Sequence, residues 1–206
     1  RNFRGQFAEA VELAETAVQL ADRSPGRSVH RFHANFYLGI FLLEAGRTEE
    51  AQAALQRGHR LSEELGAKWS LPIYQWALAL THFVSGDWDD ASAECEACLE
   101  LAEDVGTHRG VLFSLSLASV IALHRNDLAT AEEAAAAAEG ELARTGRQHG
   151  LEYWVMLARA LILEAAGQPE AACDALWSAW QQGAAVGSRT YNADLGPDLV
   201  RLSLAA

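Results

Sequence analysis

The 206-residue sequence predicts an all-α protein: an α-α superhelix, or solenoid, of about five helical hairpins, each about 40 residues long, which makes roughly ten helices. Three observations predict this fold. Small residues recur at a fixed spacing along the whole chain. Apolar residues between them lie three and four positions apart, as on one face of an α-helix. Strand signals are absent, because β-branched residues are scattered and no alternating run is bounded by turns.

The first repeated feature is a column of turn residues spaced by 40 or 41 positions: Gly5, Gly46, Gly86, Asn126 and Gly167. An alanine follows each turn five positions later: Ala10, Ala51, Ala91, Ala131 and Ala172. A second glycine column falls twenty positions after the first: Gly66, Gly106, Gly146 and Gly187. Because glycine commonly stands just past the end of a helix, the two glycine columns predict alternating helix ends.

These columns divide the chain into the first and second helices of successive hairpins. The second helices are predicted at residues 6–23, 48–65, 87–105, 127–145 and 168–186. The first helices are predicted at residues 29–45, 70–85, 110–125 and 151–166. Thr48, Asp87 and Asp127 are suitable N-caps, whereas Pro72 and Pro169 suit a first helical turn.

The ends of the chain predict that it is an excised fragment of a larger protein, with one repeat domain over residues 1–206. The turn at Gly5 has no helix before it, and the next turn would fall at position 207. The stretch from Pro197 to Ala206 is therefore predicted to be a first helix without its partner. We expect its apolar face to be exposed or paired with another molecule.

The alanine column predicts a close contact between the two helices of each hairpin. Seven positions before each turn the residue is again small: Gly39, Ala79, Ser119 and Ala160. Antiparallel helices joined by a short turn approach closely only where neither presents a bulky side chain. Each alanine is therefore expected to face the small residue of the preceding helix. A single hairpin cannot bury both of its faces, so each must stack on the next.

The pattern resembles the tetratricopeptide repeat (TPR), in which a further small residue follows twelve positions after the turn. That column here is Ala17, Gly58, Cys98, Ala138 and Ala179. A bulky residue two positions after the turn is present as Phe7, Trp88 and Leu128, whereas Thr48 and Pro169 depart from the TPR pattern. The long period resembles the sensor arms of bacterial transcription regulators of the LuxR and maltose-activator type.

The resemblance implies a non-catalytic domain that binds a partner in a groove. In TPR proteins, the first-helix positions thirteen, ten, six and three before the turn line the concave surface. Carried over, they are His33, Phe36, Ile40 and Leu43; Ile73, Trp76, Leu80 and Phe83; Phe113, Ser116, Val120 and Leu123; and Trp154, Leu157, Leu161 and Glu164. The candidate groove-binding residues are His33, Phe36, Ile40, Trp76, Leu80, Phe83, Phe113 and Trp154.

This apolar surface has three interpretations. The residues pack between repeats, or they hold a protein partner or a small hydrophobic effector, or they join two copies in a homodimer. For the whole chain, the alternatives to a sensor or scaffold arm are an oligomerisation module and an accessory domain of a multidomain enzyme.

Composition excludes several functions. The chain has 16 Lys+Arg against 28 Asp+Glu, a net charge of −12, so we expect no direct contact with nucleic acid. Its most apolar stretch, Leu112 to Leu123, is shorter than the roughly 20 residues of a membrane-spanning helix. Three cysteines and no leader segment favour a reduced, cytoplasmic location, and the preference for arginine over lysine suggests a bacterial genome.

No enzyme signature is present, and we expect no catalytic residue, metal or cofactor. The C-x-x-C pair Cys95 and Cys98 falls on two packing positions of the repeat, which predicts buried side chains rather than zinc ligands. His82 and His124 are expected to be hydrogen-bonded interior histidines. His30 and His33 lack a third metal ligand.

Acidic residues cluster on the second helices and their turns: Glu49, Glu50, Asp87, Asp89, Asp90, Glu94, Glu96, Glu132 and Glu133. They predict a solvated outer face, with an electrostatic dock for a basic partner as the alternative.

Overall fold

The computed structural model describes residues 5–23, 30–108, 110–145 and 152–205. Over these ranges it contains ten α-helices and no strand, which confirms the predicted all-α repeat fold. The helices are α1 (Phe7–Arg23), α2 (His30–Glu44), α3 (Thr48–Glu64), α4 (Leu71–Ser85), α5 (Trp88–Val105), α6 (Val111–His124), α7 (Leu128–Thr145), α8 (Glu152–Ala165), α9 (Pro169–Ala185) and α10 (Arg189–Ala205). A 3-10 turn at Lys68–Ser70 precedes α4. The predicted Gly146 turn lies outside the described residues.

The chain divides into two compact units, with the boundary between Val111 and Leu112 at the start of α6. In the first unit, α1 packs on α2, α2 on α3, α3 on α4 and α4 on α5, and α2 also contacts α4. In the second unit, α7 packs on α8, α8 on α9 and α9 on α10, while α8 also contacts α10. First helices of neighbouring hairpins, α2 with α4 and α8 with α10, therefore lie side by side within each unit.

The hairpin turns require a left-handed backbone, which explains the turn column. At Gly86, φ is 88°, and the amides of Gly86 and Asp87 donate to the carbonyls of Phe83 and His82 at 3.1 and 2.9 Å. Asn126 has φ 59° and is the one non-glycine residue with positive φ among the described residues. Asparagine adopts this conformation more readily than other side chains do, so it can replace glycine here.

The predicted helix starts are partly corrected. Thr48 is the first residue of α3, and Arg47 takes the N-cap position, so the prediction for Thr48 is wrong by one residue. Asp87 stands at the N-cap of α5 without a capping hydrogen bond from its side chain. Asp127 does cap α7, because its Oδ1 accepts a hydrogen bond of 3.1 Å from the amide of Thr130. Hydrogen bonds from Thr130 lower the pKa of Asp127.

The last helix corrects a second prediction, since α10 begins at Arg189 and carries Pro197 in its interior. A proline inside a helix removes one backbone hydrogen bond and favours a kink. Packing outweighs this cost: Leu195, Leu199 and Leu202 are at most 7% exposed in a cluster with residues of α8 and α9. The side of the helix that carries Leu199 and Leu202 is thus covered within the chain. Among the described residues of α10, the large apolar side chains of Val200 and Leu204 are exposed, so the prediction of exposure holds for that side only.

The close contact between the two helices of each hairpin, called the seam below, is as predicted. The alanines five positions after the turn are fully buried, with 0% exposure: Ala51, Ala91, Ala131 and Ala172. The Oγ of Ser119 donates to the carbonyl of Ala131 at 2.8 Å. A Cβ added at Gly39 would overlap the side chain of Leu55 and lie 3.3 Å from the carbonyl oxygen of Ala51. The small residues therefore allow the closest approach of the two backbones.

Neighbouring hairpins also contact each other through a small residue packed against a large one. Gly58 lies against Tyr74, whose ring and hydroxyl fill the space that a side chain at position 58 would need. In the second unit, Ala138 and Val155 share one apolar cluster, and so do Ala179 and Leu195. The small residue twelve positions after one turn thus meets a larger residue of the following first helix. Ala17 departs from this column and is exposed.

We expect Ala91→Leu to lower the free energy of unfolding by about 1–3 kcal/mol, because the added methylenes overpack the seam. Ala93→Leu is the matched control, since Ala93 lies on the same helix and is exposed. Urea denaturation followed by circular dichroism measures both. Equal stability of the two variants would contradict the seam.

We expect Gly58→Ala to destabilise the protein by about 1–3 kcal/mol, because the new methyl group overlaps Tyr74. Adding Tyr74→Phe should recover part of the loss, since the hydroxyl oxygen is the atom nearest to the added Cβ. Gly140→Ala is the control: it lies in α7 with no neighbour within 4 Å and should gain about 0.5–1 kcal/mol. Thermal unfolding of the wild type and these three variants measures the effects. An unchanged stability of Gly58→Ala would contradict the close packing of Gly58 against Tyr74.

Candidate binding surface

Six of the eight candidate groove residues lie together on the adjacent helices α2 and α4. We define them as the α2–α4 face: His33, Phe36, Ile40, Trp76, Leu80 and Phe83. On each helix they are spaced three or four positions apart, which places them on one side. Five of the six are half-buried, and Trp76 is buried with 7% exposure. The face is therefore neither fully packed nor fully open.

Phe36 fixes α2 against α4. Its ring lies edge-on to Tyr74, with centroids 5.5 Å apart, and its centroid lies 6.5 Å from that of Trp76. The buried Tyr74 hydroxyl also hydrogen-bonds the backbone of Phe36, and burial raises the pKa of Tyr74. Tyr74 thus packs on α3 through Gly58 and on α2 through Phe36.

Aromatic pairs mark both ends of the face. At one end, the rings of His33 and Trp69 are 5.9 Å apart, and Trp69 is 38% exposed. At the other end, Phe83 stacks on Trp88 with a centroid distance of 6.3 Å and an interplanar angle of 21°. Tyr37, beside Phe36, is 53% exposed. Large apolar side chains are therefore accessible along the length of the face.

The face carries no formal charge. The sequence has no Asp, Glu, Lys or Arg in residues 33–43 of α2 or in residues 71–85 of α4. Such a surface offers apolar and aromatic contacts together with the imidazole of His33.

Phe113 and Trp154, the other two candidates, belong to the second unit. Phe113 is half-buried on α6. Trp154 is half-buried on α8, where it packs on the cluster that includes Leu195 and its ring lies 5.6 Å from that of Tyr153. The structure thus brings six of the eight candidates into one row, and it places these two in a separate unit.

Other predicted groove positions of the second unit are packed into its core. Ser116 is fully buried and donates to the carbonyl of Leu112 at 2.8 Å. Val120 and Leu157 are 4% and 9% exposed. At these positions the packing interpretation is the correct one.

Glu164, the last predicted groove position, takes part in an ion pair that the sequence did not suggest. Both of its carboxylate oxygens accept hydrogen bonds from Arg201 of α10, that between Nη2 and Oε2 at 2.7 Å. Arg201 also donates to Asp198 at 2.8 Å. The hydrogen bonds from Arg201 lower the pKa of Glu164. Because 37 residues separate Glu164 from Arg201, no local pattern indicates the pair.

Cys95 and Cys98 are buried, with 1% and 0% exposure, and neither forms a disulfide. The Sγ of Cys98 lies 3.0 Å from the carbonyl oxygen of Pro72 and donates to it, which fits a packing role. Within the described ranges, no group of three His, Cys, Asp or Glu side chains could hold a metal ion.

The histidines require one correction. His124, predicted to be interior, is exposed, because it is the last residue of α6 and faces solvent beside the turn. His82 is half-buried. The side chain of His30 lies outside the described part of the chain.

The predicted outer face of second helices is solvated. Exposed carboxylates are found on α3, α5 and α7 and their turns: Glu49, Glu50, Asp87, Asp89, Asp90, Glu96, Glu132 and Glu133. Glu94 is half-buried and accepts a hydrogen bond from Gln75.

Tight hairpins with small-residue seams and an apolar row on adjacent first helices define a TPR-like helical-repeat protein. The family model of the MalT-like TPR region matches residues 1–187, and the chain belongs to this family. The match covers α1 to α9, and α10 follows it.

Solved structures support the same fold. The chain is similar to the nearly identical TPR-like repeats of a protein from Podosopora anserina named as a kinesin light chain, with a TM-score of 0.56, 21% identity and coverage of 88% of this chain and 87% of that one. It is also similar to BtubC (BKLC) from P. vanneervenii, with a TM-score of 0.60, 15% identity and coverage of 100% and 92%. Identities this low show the fold alone. None of the curated protein sequences matches significantly.

None of the described helices combines the length and apolar character that crossing a membrane requires.

We expect the second unit to lose stability in acid through Glu164. Its pKa is lowered in the folded state by Arg201, so the stabilising effect is present above the ordinary value of 4.5 and is lost as the pH falls through the folded pKa. The free energy of unfolding of Glu164→Gln should therefore fall less steeply below about pH 4.5 than that of the wild type. Glu170→Gln, at an exposed glutamate of α9, is the control. Parallel pH profiles for wild type and Glu164→Gln would show that the pair contributes nothing.

Proposed function

We propose that this chain is a non-catalytic scaffold that binds a protein partner on the α2–α4 face. The observation that carries the proposal is the uncharged row of half-buried residues, bounded at both ends by aromatic pairs that include the partly exposed Trp69. Exposed apolar patches of this kind commonly mark interaction sites. Membership in a TPR-like family supports a protein-interaction scaffold.

The dimensions favour a peptide segment over a small effector. From His33 to Leu43 the helix α2 rises about 15 Å, which equals nearly three turns of a partner helix. Recognition of a helix in a groove uses apolar anchors spaced three and four positions apart, and the α2–α4 face repeats that spacing on both of its helices.

We further propose that the scaffold is the sensor arm of a bacterial transcription regulator. The MalT-like family and the long hairpins support this role. The reading frame on both sides of this segment tests it: an ATPase before and a helix-turn-helix after would support the role, whereas a catalytic domain would favour an accessory part of an enzyme.

A helical peptide selected by phage display against the wild-type protein should bind Leu80→Gln and Ile40→Gln about tenfold or more weakly, because each change removes an apolar contact of the face. Leu13→Gln is the matched control: Leu13 is 54% exposed on α1, outside the α2–α4 face. Isothermal titration calorimetry measures the affinities, and circular dichroism confirms that each variant is folded.

Two results would contradict the proposal. In the first, the selected peptides bind Leu80→Gln and Ile40→Gln as tightly as the wild type. Hydrogen exchange then shows that the bound peptide protects helices other than α2 and α4. The other is a concentration-dependent dimer, seen by light scattering, that Leu80→Gln converts into a monomer, since the face would then join two copies of the chain.

A further inference from the structure

Both helices of the α1–α2 pair carry a row of apolar residues that reaches solvent. On α1 the row is Leu13, Ala17 and Leu20, all exposed, with Leu13 and Leu20 at 54% and 60%. On α2 the row is Tyr37, which is 53% exposed, and the half-buried Phe41, with ring centroids 5.9 Å apart. Residues three and four positions apart share one side of a helix, so each row runs along its helix.

On each helix, the row directly precedes the residues that pack between α1 and α2. On α1, the residues one position after the row are buried: Ala14, Val18 and Ala21. On α2, Leu42 follows Phe41 and shares an apolar cluster with Val11 of α1. Leu38 follows Tyr37 and packs on the same cluster. Both rows therefore border the contact between the two helices.

The rows border this contact on the same side. Moving one residue back along a helix turns the side-chain direction by about 100° around the helix axis. The two helices run in opposite directions, since Val11 near the start of α1 shares a cluster with Leu42 near the end of α2. The two turns therefore have opposite senses when the pair is viewed from one end, and they bring both rows to one side. We call this side the α1–α2 groove, which consists of Leu13, Ala17, Leu20, Tyr37 and Phe41.

Other hairpins show what covers such a groove. The positions of Tyr37 and Phe41, nine and five before the turn, are at most 2% exposed in α4, α6 and α8: Ala77, Thr81, Leu117, Ile121, Ala158 and Ile162. In α8, Ile162 shares a cluster with Ala122 of α6, the preceding first helix. In the first unit, α4 likewise contacts the preceding first helix α2. Within the repeat, these positions are therefore buried by the first helix of the hairpin before.

The turn before α1 is of the kind that joins a first helix to a second. Gly5 has φ 73°, and α1 begins two residues later, at Phe7. Gly46 and Gly86 have φ of 75° and 88°, and α3 and α5 also begin two residues after them. At Gly46 and Gly86 the first helix of the same hairpin comes before the glycine.

We propose that a further first helix of the same polypeptide, N-terminal to α1, packs in the α1–α2 groove and enters α1 through the Gly5 turn. The small side chain of Ala17 leaves room for this helix between the two leucines of the α1 row. Its docking side carries apolar residues three and four positions apart, as α2 does on the side that meets α4. The inference goes beyond the proposed function, and the α2–α4 face stays open because it uses other positions of α2.

A second copy of the chain is a poorer occupant of the groove. The helix α1 contains four acids and one basic residue: Glu9, Glu12, Glu15, Asp22 and Arg23. Two copies joined through this groove would bring two such helices together, and like charges across an interface oppose binding. A helix connected by a short turn also avoids the translational and rotational cost of association.

Cysteine labelling of the full-length protein tests whether the groove is filled. Ala17→Cys reports on the groove. Gln19→Cys is the matched control, because Gln19 is exposed in the interior of the same helix and points about 200° away from Ala17. A maleimide reagent labels each variant, mass spectrometry of the labelled peptide gives the rate, and circular dichroism confirms that each variant is folded.

A photo-crosslinker identifies what fills the groove. In the purified full-length protein, p-benzoylphenylalanine replaces Tyr37, and ultraviolet light joins it to its neighbour. Mass spectrometry identifies the joined peptide, and a denaturing gel separates a cross-link within one chain from a cross-link between two.

We expect Ala17→Cys to react about tenfold or more slowly than Gln19→Cys, because a covered thiol reacts only when the covering helix moves away. The cross-link from position 37 should reach the segment that precedes Gly5, within one chain.

Three results overturn the inference. Equal labelling rates show that the groove of the purified protein is open, even if a separate protein that is added later slows the reaction of Ala17→Cys. A cross-linked dimer shows that a second copy fills the groove. A cross-link to another part of the same chain, or none at all, shows that the proposed helix does not lie there. The proposed function survives each of these results, since it is tested on the α2–α4 face.

Discussion

The close approach of two backbones beside each hairpin turn is the constraint on which the rest of the structure depends. The alanines that follow the turns are completely buried, and a helix can lie this near only when its partner presents glycine, alanine or serine. Ser119 shows how short the distance is, since its hydroxyl reaches the backbone carbonyl of Ala131. The left-handed residue at the turn allows the chain to reverse direction. The contact between the two helices of the hairpin then determines which side of the first helix faces away from the second helix.

Stacking of the hairpins follows a second rule of size. A large residue of one first helix occupies the space over a small residue of the preceding second helix, as Tyr74 does over Gly58. Tyr74 then bonds to the backbone of Phe36, so one buried side chain links α2, α3 and α4. The α2–α4 face is thus a consequence of packing in the core, and its residues are positioned by contacts behind them.

Sequence spacing predicted this architecture well because each turn and seam is a local feature that recurs with one period. It failed where a contact in space outweighs the local signal. Pro197 suggested a helix start, but burial of Leu195 and Leu199 carries α10 through it. The Glu164–Arg201 pair joins helices that no local pattern connects. The groove positions carried over from the TPR pattern lie together on α2 and α4. The corresponding positions on α6, Ser116 and Val120, are buried in the core.

The separation of charge between the two helices of the α4–α5 hairpin requires more than helix stability. Asp89 and Asp90 lie in the first turn of α5, where each acid stabilises the helix by about 0.3–1 kcal/mol through the helix dipole. The stabilising effect of the helix dipole extends over only about the first turn. Glu96, Glu100 and Asp104 lie further along the helix, where neighbouring like charges cost about 0.2–0.5 kcal/mol per pair. The sequence tolerates this cost because the opposite side of α5 is buried: Ala91, Cys95, Cys98 and Ala102 are at most 3% exposed, and their packing outweighs the repulsion among the exposed acids.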